Sequence, residues 1–84
     1  MKEFLVRVVV EPKPELLDPQ GQAVERALLE LGLKNVSQTR VGKCITFRLK
    51  AISASQARQR VTEIAQKFLA NPVIERFCVE VEEL

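Results

Sequence analysis

Side chains able to do acid–base or nucleophilic chemistry are few in this chain of 84 residues. It contains no histidine, tyrosine or tryptophan, and Asp18 is its single aspartate. The other carboxylates are glutamates expected on the surface, and no nucleophile can be placed beside a general base. The sequence therefore argues against an independent enzyme and predicts no catalytic residue.

Cys44 and Cys78 are isolated and lie far apart in the sequence. A zinc site needs further ligands, and the chain has no histidine to supply one. A disulfide between the two is geometrically possible, but a cytosolic setting does not favour it. We expect no metal site and interpret both cysteines as small, partly buried thiols on strands.

A helix that begins just after Asp18 would offer free backbone amides at Gln20 and Gly21, and such amides attract anions. Asp18 competes for the same amides and repels a phosphate. The chain also lacks a Walker or dinucleotide glycine pattern. We therefore predict no nucleotide or other cofactor site in this chain.

Basic residues give little support for a polyanion site. The 13 lysines and arginines are interspersed with 11 acidic residues, for a net charge of +2. The nearest approach to a basic patch comprises Arg40, Lys43, Arg48 and Lys50. A solvated surface is the simpler interpretation, and the expected sheet offers no aromatic platform for RNA bases. We predict no nucleic-acid partner.

Gly21 is the residue that local helix chemistry does not explain. Asp18 is a suitable N-cap, and Pro19 loses nothing by lacking an N–H in the first turn. A glycine in that turn costs up to ~1 kcal/mol relative to alanine, and a capping box would place Glu or Gln there. We expect either a neighbouring loop or a partner surface to approach this backbone closely.

A strand and a helix are the first predicted elements. The alternating core-facing set of the strand is Phe4, Val6, Val8 and Val10. On the opposite face Leu5 and Val9 predict self-association, because another chain would have to cover them. A helix is expected from about Pro19 to Leu31, ending at Gly32. Its apolar stripe is Val24, Ala27, Leu28 and Leu31.

The second half of the chain predicts a hairpin, a helix and a strand. Residues 36–41 form a short strand that turns at Gly42 and Lys43 into a second one. Ser53 and Gln56 form a capping box for a helix that ends near Ala70. The stripe of this helix is Ala57, Val61, Ile64, Ala65 and Phe68. The core-facing sets of the two later strands are Ile45, Phe47 and Leu49, and Phe77, Val79 and Val81.

The element order is therefore β-α-β-β-α-β within a single domain of residues 1–84. Both helices carry one apolar stripe, which favours a four-stranded antiparallel sheet with two helices on one face, a ferredoxin-like α+β fold. The chain has no apolar run near 18 residues and no N-terminal apolar region typical of export. We expect a cytoplasmic protein without a membrane partner.

Three segments together resemble a known family. They are Leu17-Asp18-Pro19-Gln20-Gly21, Arg40-Val41-Gly42-Lys43 and Leu69-Ala70-Asn71-Pro72-Val73-Ile74-Glu75. In this order and spacing they look like the PurS family, the small subunit of phosphoribosylformylglycinamidine synthase. The resemblance covers essentially the whole chain. It departs at Glu15, where the family often has glycine, and at Phe77, where it often has a hydroxylated aromatic residue.

The resemblance implies a role in de novo purine synthesis, where formylglycinamide ribonucleotide, ATP and glutamine give the amidine. The implied partners are a large synthetase subunit, expected to bind ATP and magnesium, and a glutaminase subunit. This chain would be non-catalytic, and it would help to assemble them and to pass ammonia between them. Its candidate partner interface comprises Asp18, Gln20, Gly21, Arg40, Gly42, Lys43, Asn71 and Pro72.

Two alternatives remain open at the level of sequence. The motif residues could be needed only for the fold of the single chain, with Gly42 setting a hairpin and Asn71-Pro72 fixing the approach to the last strand. The element order is also shared by small regulatory domains that bind an amino acid or a similar effector at a subunit interface.

Overall fold

The computed structural model describes residues 1–84. In chain order the elements are β1 (Lys2–Pro12), α1 (Pro19–Glu30), β2 (Lys43–Ala51), α2 (Ala54–Ile64), a π-helical turn (Ala65–Leu69) and β3 (Glu75–Glu83). The strands form one antiparallel sheet in the order β2-β1-β3. The fold is α+β, and its central strand β1 is hydrogen-bonded on both sides.

The core lies between the inner face of β1 and helix α2. The alternating β1 residues that are completely buried are Phe4, Val6, Val8 and Val10. Helix α2 and the turn after it contribute Ala57, Val61 and Ala65 to the same core. Full burial of one valine side chain contributes about 1.5–3 kcal/mol, so the buried side chains of β1 make a large apolar contribution to stability.

The sheet has three strands, not the four predicted, because residues 36–41 form no strand. The backbone N–H groups of Thr39 and Val41, which a strand would pair with a neighbour, donate to carboxylates on and just before α1. Gln38 has a left-handed backbone with φ 55°, which interrupts an extended conformation. The polar contacts of this segment therefore replace the ladder that its sequence pattern suggested.

The predicted hairpin at Gly42 and Lys43 is wrong for the same reason. Strand β2 begins at Lys43, which pairs with Val10 of β1 rather than with a preceding strand. Gly42 is the last residue of the connection that enters the sheet from α1.

Helix α1 does not lie on the sheet, so the prediction of two helices on one face is wrong. It makes at most marginal contact with any strand or with α2, and the molecule is elongated, with extents of 49 × 28 × 15 Å. In its apolar stripe Val24 is 41% exposed and Leu31 is 86% exposed. Only α2 covers the sheet, and a ferredoxin-like sandwich is not confirmed.

Two local signals at the helix ends are confirmed, one at the end of α1 and one at the start of α2. Gly32 has φ 102°, and the N–H groups of Gly32 and Leu33 donate to the carbonyls of Leu29 and Leu28 at 3.2 and 3.0 Å. This is a Schellman ending, in which a left-handed glycine satisfies the last carbonyls of the helix. At the start of α2, the Ser53 hydroxyl accepts from the N–H of Gln56 at 3.1 Å.

The end of the second helix differs from the predicted stripe. The N–H of Ala70 donates to the carbonyl of Ala65, five residues earlier, at 2.9 Å, and this widens the turn. Because of the extra residue, Leu69 packs against the core, whereas Phe68, predicted to be buried, is exposed.

Candidate functional site

Four polar side chains tie the start of α1 to the segment that follows the helix. They are Asp18, Glu25, Thr39 and Arg40, and we call this cluster the α1 brace. Oδ2 of Asp18 accepts a hydrogen bond from the N–H of Val41 at 2.9 Å. Oε1 of Glu25 accepts from the N–H and from the hydroxyl of Thr39, at 3.1 and 2.9 Å. Helix and returning segment are therefore held as one unit.

Arg40 extends the brace to the loop between β1 and α1. Its guanidinium donates to the carbonyl of Leu16 at 2.5 Å and to that of Pro14 at 2.6 Å. A planar guanidinium can hold two carbonyls in fixed directions, which a lysine ammonium cannot do in the same way. The loop that leads into α1 is thus fixed at two points by a residue from beyond the helix.

The electrostatics of the brace favour an ionised Asp18. This residue is buried, and the hydrogen bond from the Val41 N–H is the largest cause that lowers the pKa of its carboxyl group below the ordinary value. The amide of Gly21 and the charge of Arg40 act in the same direction, while desolvation opposes them. Asp18 occupies the N-cap position, but its side chain makes no cap hydrogen bond and accepts the N–H of Val41 instead.

The close approach expected at Gly21 is made by the chain itself. Gly21 is buried, and a Cβ atom there would overlap the backbone carbonyl oxygen of Thr39 and lie 2.8 Å from Oδ2 of Asp18. Only a residue without a side chain fits between the helix start and the brace. The structure therefore explains this glycine within the fold, and its contact with a partner remains a prediction.

Gly42 allows another close approach, at the sheet. A Cβ atom at this position would overlap the carbonyl oxygen of Val10 and lie 3.1 Å from Cα of Glu11. The glycine thus lets the connection from α1 enter β2 against the end of β1. Lys43, the next residue, is exposed.

Asn71 and Pro72 lie in the turn that enters β3. Oδ1 of Asn71 accepts from the N–H of Val73 at 3.0 Å, and the N–H of Asn71 donates to Oε1 of Glu75 at 2.8 Å. The turn is joined to the end of β1, since the N–H of Lys13 donates to the carbonyl of Ile74 at 3.0 Å. Both Asn71 and Pro72 are exposed.

All three sequence motifs therefore meet at one end of the sheet, where β1 ends and β2 and β3 begin. Asp18, Gly21 and Arg40 belong to the brace or touch it. Gln20, Lys43, Asn71 and Pro72 are exposed at or near the same end. We call this region the motif end.

Leu5 and Val9 lie on the outer face of β1, away from α2. Leu5 is half-buried and Val9 is 37% exposed. Cys44 and Cys78 flank Val9 in register on the two neighbouring strands, and both are exposed rather than partly buried. Two strand spacings separate them by about 9.6 Å, which is too far for a disulfide within the chain.

Sequence reasoning missed the parts that Glu25 and Thr39 play in the brace. A glutamate beside an apolar helix stripe and a threonine in a short polar segment carry no pattern that links them across 14 residues. Gly21 was the one residue in the sequence that pointed to this cluster, because a glycine that destabilises a helix indicates that another part of the protein approaches its backbone closely.

The structure contains no group of three or more acidic, cysteine or histidine residues that could hold a metal ion. None of its helices combines the length and apolar character needed to cross a membrane.

Fold and site together define a small α+β protein with a braced, projecting helix and a cluster of motifs at one end of its sheet. The PurS family model, described as phosphoribosylformylglycinamidine (FGAM) synthase, matches residues 5–83. The chain belongs to this family, which confirms the resemblance that its three motifs carry.

Individual relatives match this chain over nearly its whole length. The chain is 41% identical over 78 residues to the phosphoribosylformylglycinamidine synthase subunit PurS of Synechocystis sp., covering 93% of this chain and 78% of that protein. A solved structure of PurS from Thermus thermophilus matches with a TM-score of 0.83 at 35% identity, covering 98% of each chain. The structure of PurLQS from Thermotoga maritima matches with a TM-score of 0.79 at 32% identity, covering 100% of both chains.

Proposed function

We propose that this protein is the non-catalytic assembly subunit of phosphoribosylformylglycinamidine synthase. In this role it bridges a synthetase and a glutaminase subunit and helps ammonia released from glutamine to reach formylglycinamide ribonucleotide. The observation that carries the proposal is the convergence of all three family motifs at the motif end, around polar groups that hydrogen-bond mainly to the backbone of neighbouring segments.

The chemistry of the brace supports a structural role. The carboxyl of Asp18, whose pKa is held below its ordinary value by the hydrogen bond from Val41, is ionised at neutral pH and has no proton to donate. One of its oxygens already accepts from Val41, and Glu25 accepts twice from Thr39. Groups engaged in this way position α1 and the loops beside it.

The exposed residues of the motif end are the surface we assign to the partner subunits. They are Gln20, Lys43, Asn71 and Pro72. The brace and the turn into β3 hold this surface in one shape before a partner arrives, and such pre-organisation reduces the entropic cost of binding. Four other residues of the candidate interface would act indirectly, by holding the backbone that carries this surface. They are Asp18, Gly21, Arg40 and Gly42.

The family and the match to the structure of PurLQS from Thermotoga maritima support these partners. In our proposal ATP and magnesium bind to the synthetase partner, and the complex works in the cytoplasm. The protein also self-associates as a homodimer or a larger oligomer, with Leu5 and Val9 as one contact surface on the outer face of the sheet.

Assembly from purified subunits tests the proposal. The synthetase, the glutaminase and this chain are mixed with glutamine and a non-hydrolysable ATP analogue, and the complex is followed by size-exclusion chromatography with light scattering. We expect a three-component complex in the full mixture. When this chain is left out, we expect the synthetase and the glutaminase to stay separate. A complex of synthetase and glutaminase that forms equally well without this chain would contradict the proposal.

A variant pair locates the contact surface. Lys43→Glu changes the exposed charge at the motif end, where β2 begins, and Lys50→Glu makes the same change near the opposite end of β2. We expect Lys43→Glu alone to weaken assembly. An equal effect of both variants would show that net charge, and not the motif end, controls binding.

A further inference from the structure

A cleft of about 360 Å³ opens at the motif end, between the α1 brace and the sheet. It is lined by Pro14, Gln38, Arg40 and Arg76. Arg40 reaches it from the brace, and Arg76 reaches it from the start of β3. Two guanidinium groups from distant parts of the sequence therefore line one cleft.

Both arginines keep hydrogen-bond donors that the chain itself does not use. A guanidinium carries five N–H groups. Arg40 uses two of them, on the carbonyls of Leu16 and Pro14. Nε and Nη2 of Arg76 contact Oε1 of Glu11, which leaves Nη1 without a hydrogen bond. The side-chain amide of Gln38 adds a further donor to the lining.

The charge of the cleft suits a single negative group. None of its lining residues is acidic. Glu11 is paired with Arg76, however, and the charge of Arg40 acts on the nearby carboxylate of Asp18. Because these two carboxylates offset part of the positive charge, one further carboxylate balances the cleft better than a phosphate monoester, which carries about −1.5 to −2.

Size and position indicate that this carboxylate belongs to another protein. The volume of the cleft is several times the roughly 30 Å³ of a water molecule, so a whole aspartate or glutamate side chain can enter it. The cleft also opens at the end of the molecule that we assign to the partner subunits. Since the brace already holds Arg40 in place, binding there costs little side-chain entropy.

We propose that the cleft between Arg40 and Arg76 receives an acidic side chain of a partner subunit. The inference rests on the proposed function and names one contact within it, a carboxylate held by charge-assisted hydrogen bonds from both guanidinium groups. Arg76 and Gln38 lie outside the three family motifs, and they thereby join the partner interface.

Two variants that break the same ion pair test the role of Arg76. Arg76→Gln and Glu11→Gln both remove the contact between these side chains, but only Arg76→Gln takes a guanidinium from the cleft. We expect the Kd with which this chain enters the three-component complex to rise about tenfold in Arg76→Gln, equivalent to 1.4 kcal/mol. In Glu11→Gln it should stay the same or fall. Equal weakening in both variants would assign the effect to the lost ion pair and overturn the proposal.

A second pair places a carboxylate inside or outside the cleft. Gln38→Glu fills the site with an acidic group of the chain itself, and Ser37→Glu adds the same charge at the preceding exposed residue, outside the lining. We expect Gln38→Glu to weaken assembly about tenfold and Ser37→Glu to match wild type. Wild-type affinity in both Arg76→Gln and Gln38→Glu would overturn the proposal while leaving the proposed function intact. A wild-type chain that does not enter the complex would overturn both.

Measurements on the isolated protein distinguish other occupants. Inorganic phosphate, titrated while the side-chain NMR signals of Arg40 and Arg76 are followed, should give no saturable shift at millimolar concentration. Sedimentation should show the same oligomeric state for wild type and Arg76→Gln. Saturable phosphate binding would make the cleft a site for a free oxyanion, and a changed oligomeric state would make it a contact between copies of this chain. Either result would overturn the proposal.

Discussion

Oδ2 of Asp18 accepts a hydrogen bond from the backbone N–H of Val41 at 2.9 Å, across 23 residues of sequence. This one contact connects the first family motif to the second and fixes where α1 begins relative to the entry into β2. It also removes from residues 36–41 an N–H group that an additional strand would require. The brace thereby determines both the motif end and the projection of α1.

The first prediction concerns how the free energy of unfolding changes at acid pH. Asp18→Asn removes a carboxylate whose pKa is lower in the folded chain than its ordinary value of 3.8. A lowered folded pKa stabilises the protein above the unfolded value, and the contribution is lost as the pH falls through the folded value. Urea unfolding should therefore show wild type more stable than the variant at pH 7, with the difference shrinking below about pH 4. Glu30→Gln, at an exposed carboxylate outside the brace, is the control.

Gly21→Ala should destabilise the isolated chain, although alanine favours helix by up to ~1 kcal/mol. The new Cβ overlaps the Thr39 carbonyl oxygen, and overpacking of this kind costs about 1–3 kcal/mol. Thermal unfolding measures the effect, and Gln20→Ala, at an exposed position of the same turn, should be close to neutral. A Gly21→Ala chain as stable as wild type would show that the brace is looser than described.

Arg40→Lys keeps the positive charge but loses the two-pronged contact to the carbonyls of Leu16 and Pro14. We expect a loss of about 1.5–3 kcal/mol in unfolding free energy, the range of hydrogen bonds to a charged group. Amide hydrogen exchange should rise in residues 13–18. Arg26→Lys, on the exposed side of α1, is the control, and equal exchange in both variants would argue against a bracing role for Arg40.

Ser53→Ala should cost about 1 kcal/mol, the typical value for loss of an N-cap side chain. The Ser53 hydroxyl accepts the N–H of Gln56 at 3.1 Å, which would otherwise be unpaired within the first turn of α2. Ser55→Ala, at an exposed position inside the helix, should be neutral or slightly stabilising. Chemical denaturation at neutral pH separates the two.

Local patterns predicted the parts of the fold that local chemistry decides. The alternation along β1, the Schellman ending at Gly32 and the cap at Ser53 each depend on neighbouring residues, and each is present. The placement of α1 could not be predicted in the same way. An apolar stripe shows that a helix face requires cover, but it does not show which surface, or which molecule, provides it.

The motif residues show the same division. Gly21 indicated a close approach because a helical glycine has a local cost, but its neighbour Thr39 was not identifiable from the sequence. The strand predicted over residues 36–41 was wrong because the carboxylates of Glu25 and Asp18 accept the backbone N–H groups that a neighbouring strand would otherwise pair. Hydrogen bonds between residues so far apart in sequence leave no periodic signal. Asn71 was correctly expected to shape the approach to β3, and the same role for Pro72 stays a prediction.

The central claim is that this chain couples the glutaminase to the synthetase without performing chemistry. It is tested most directly by the rate of amidine formation from formylglycinamide ribonucleotide and ATP, with either glutamine or free ammonia as nitrogen source, in the presence and absence of this chain. We predict that omission abolishes the glutamine-dependent rate and leaves the ammonia-dependent rate of the synthetase largely intact. A glutamine-dependent rate that is the same without this chain would contradict the account.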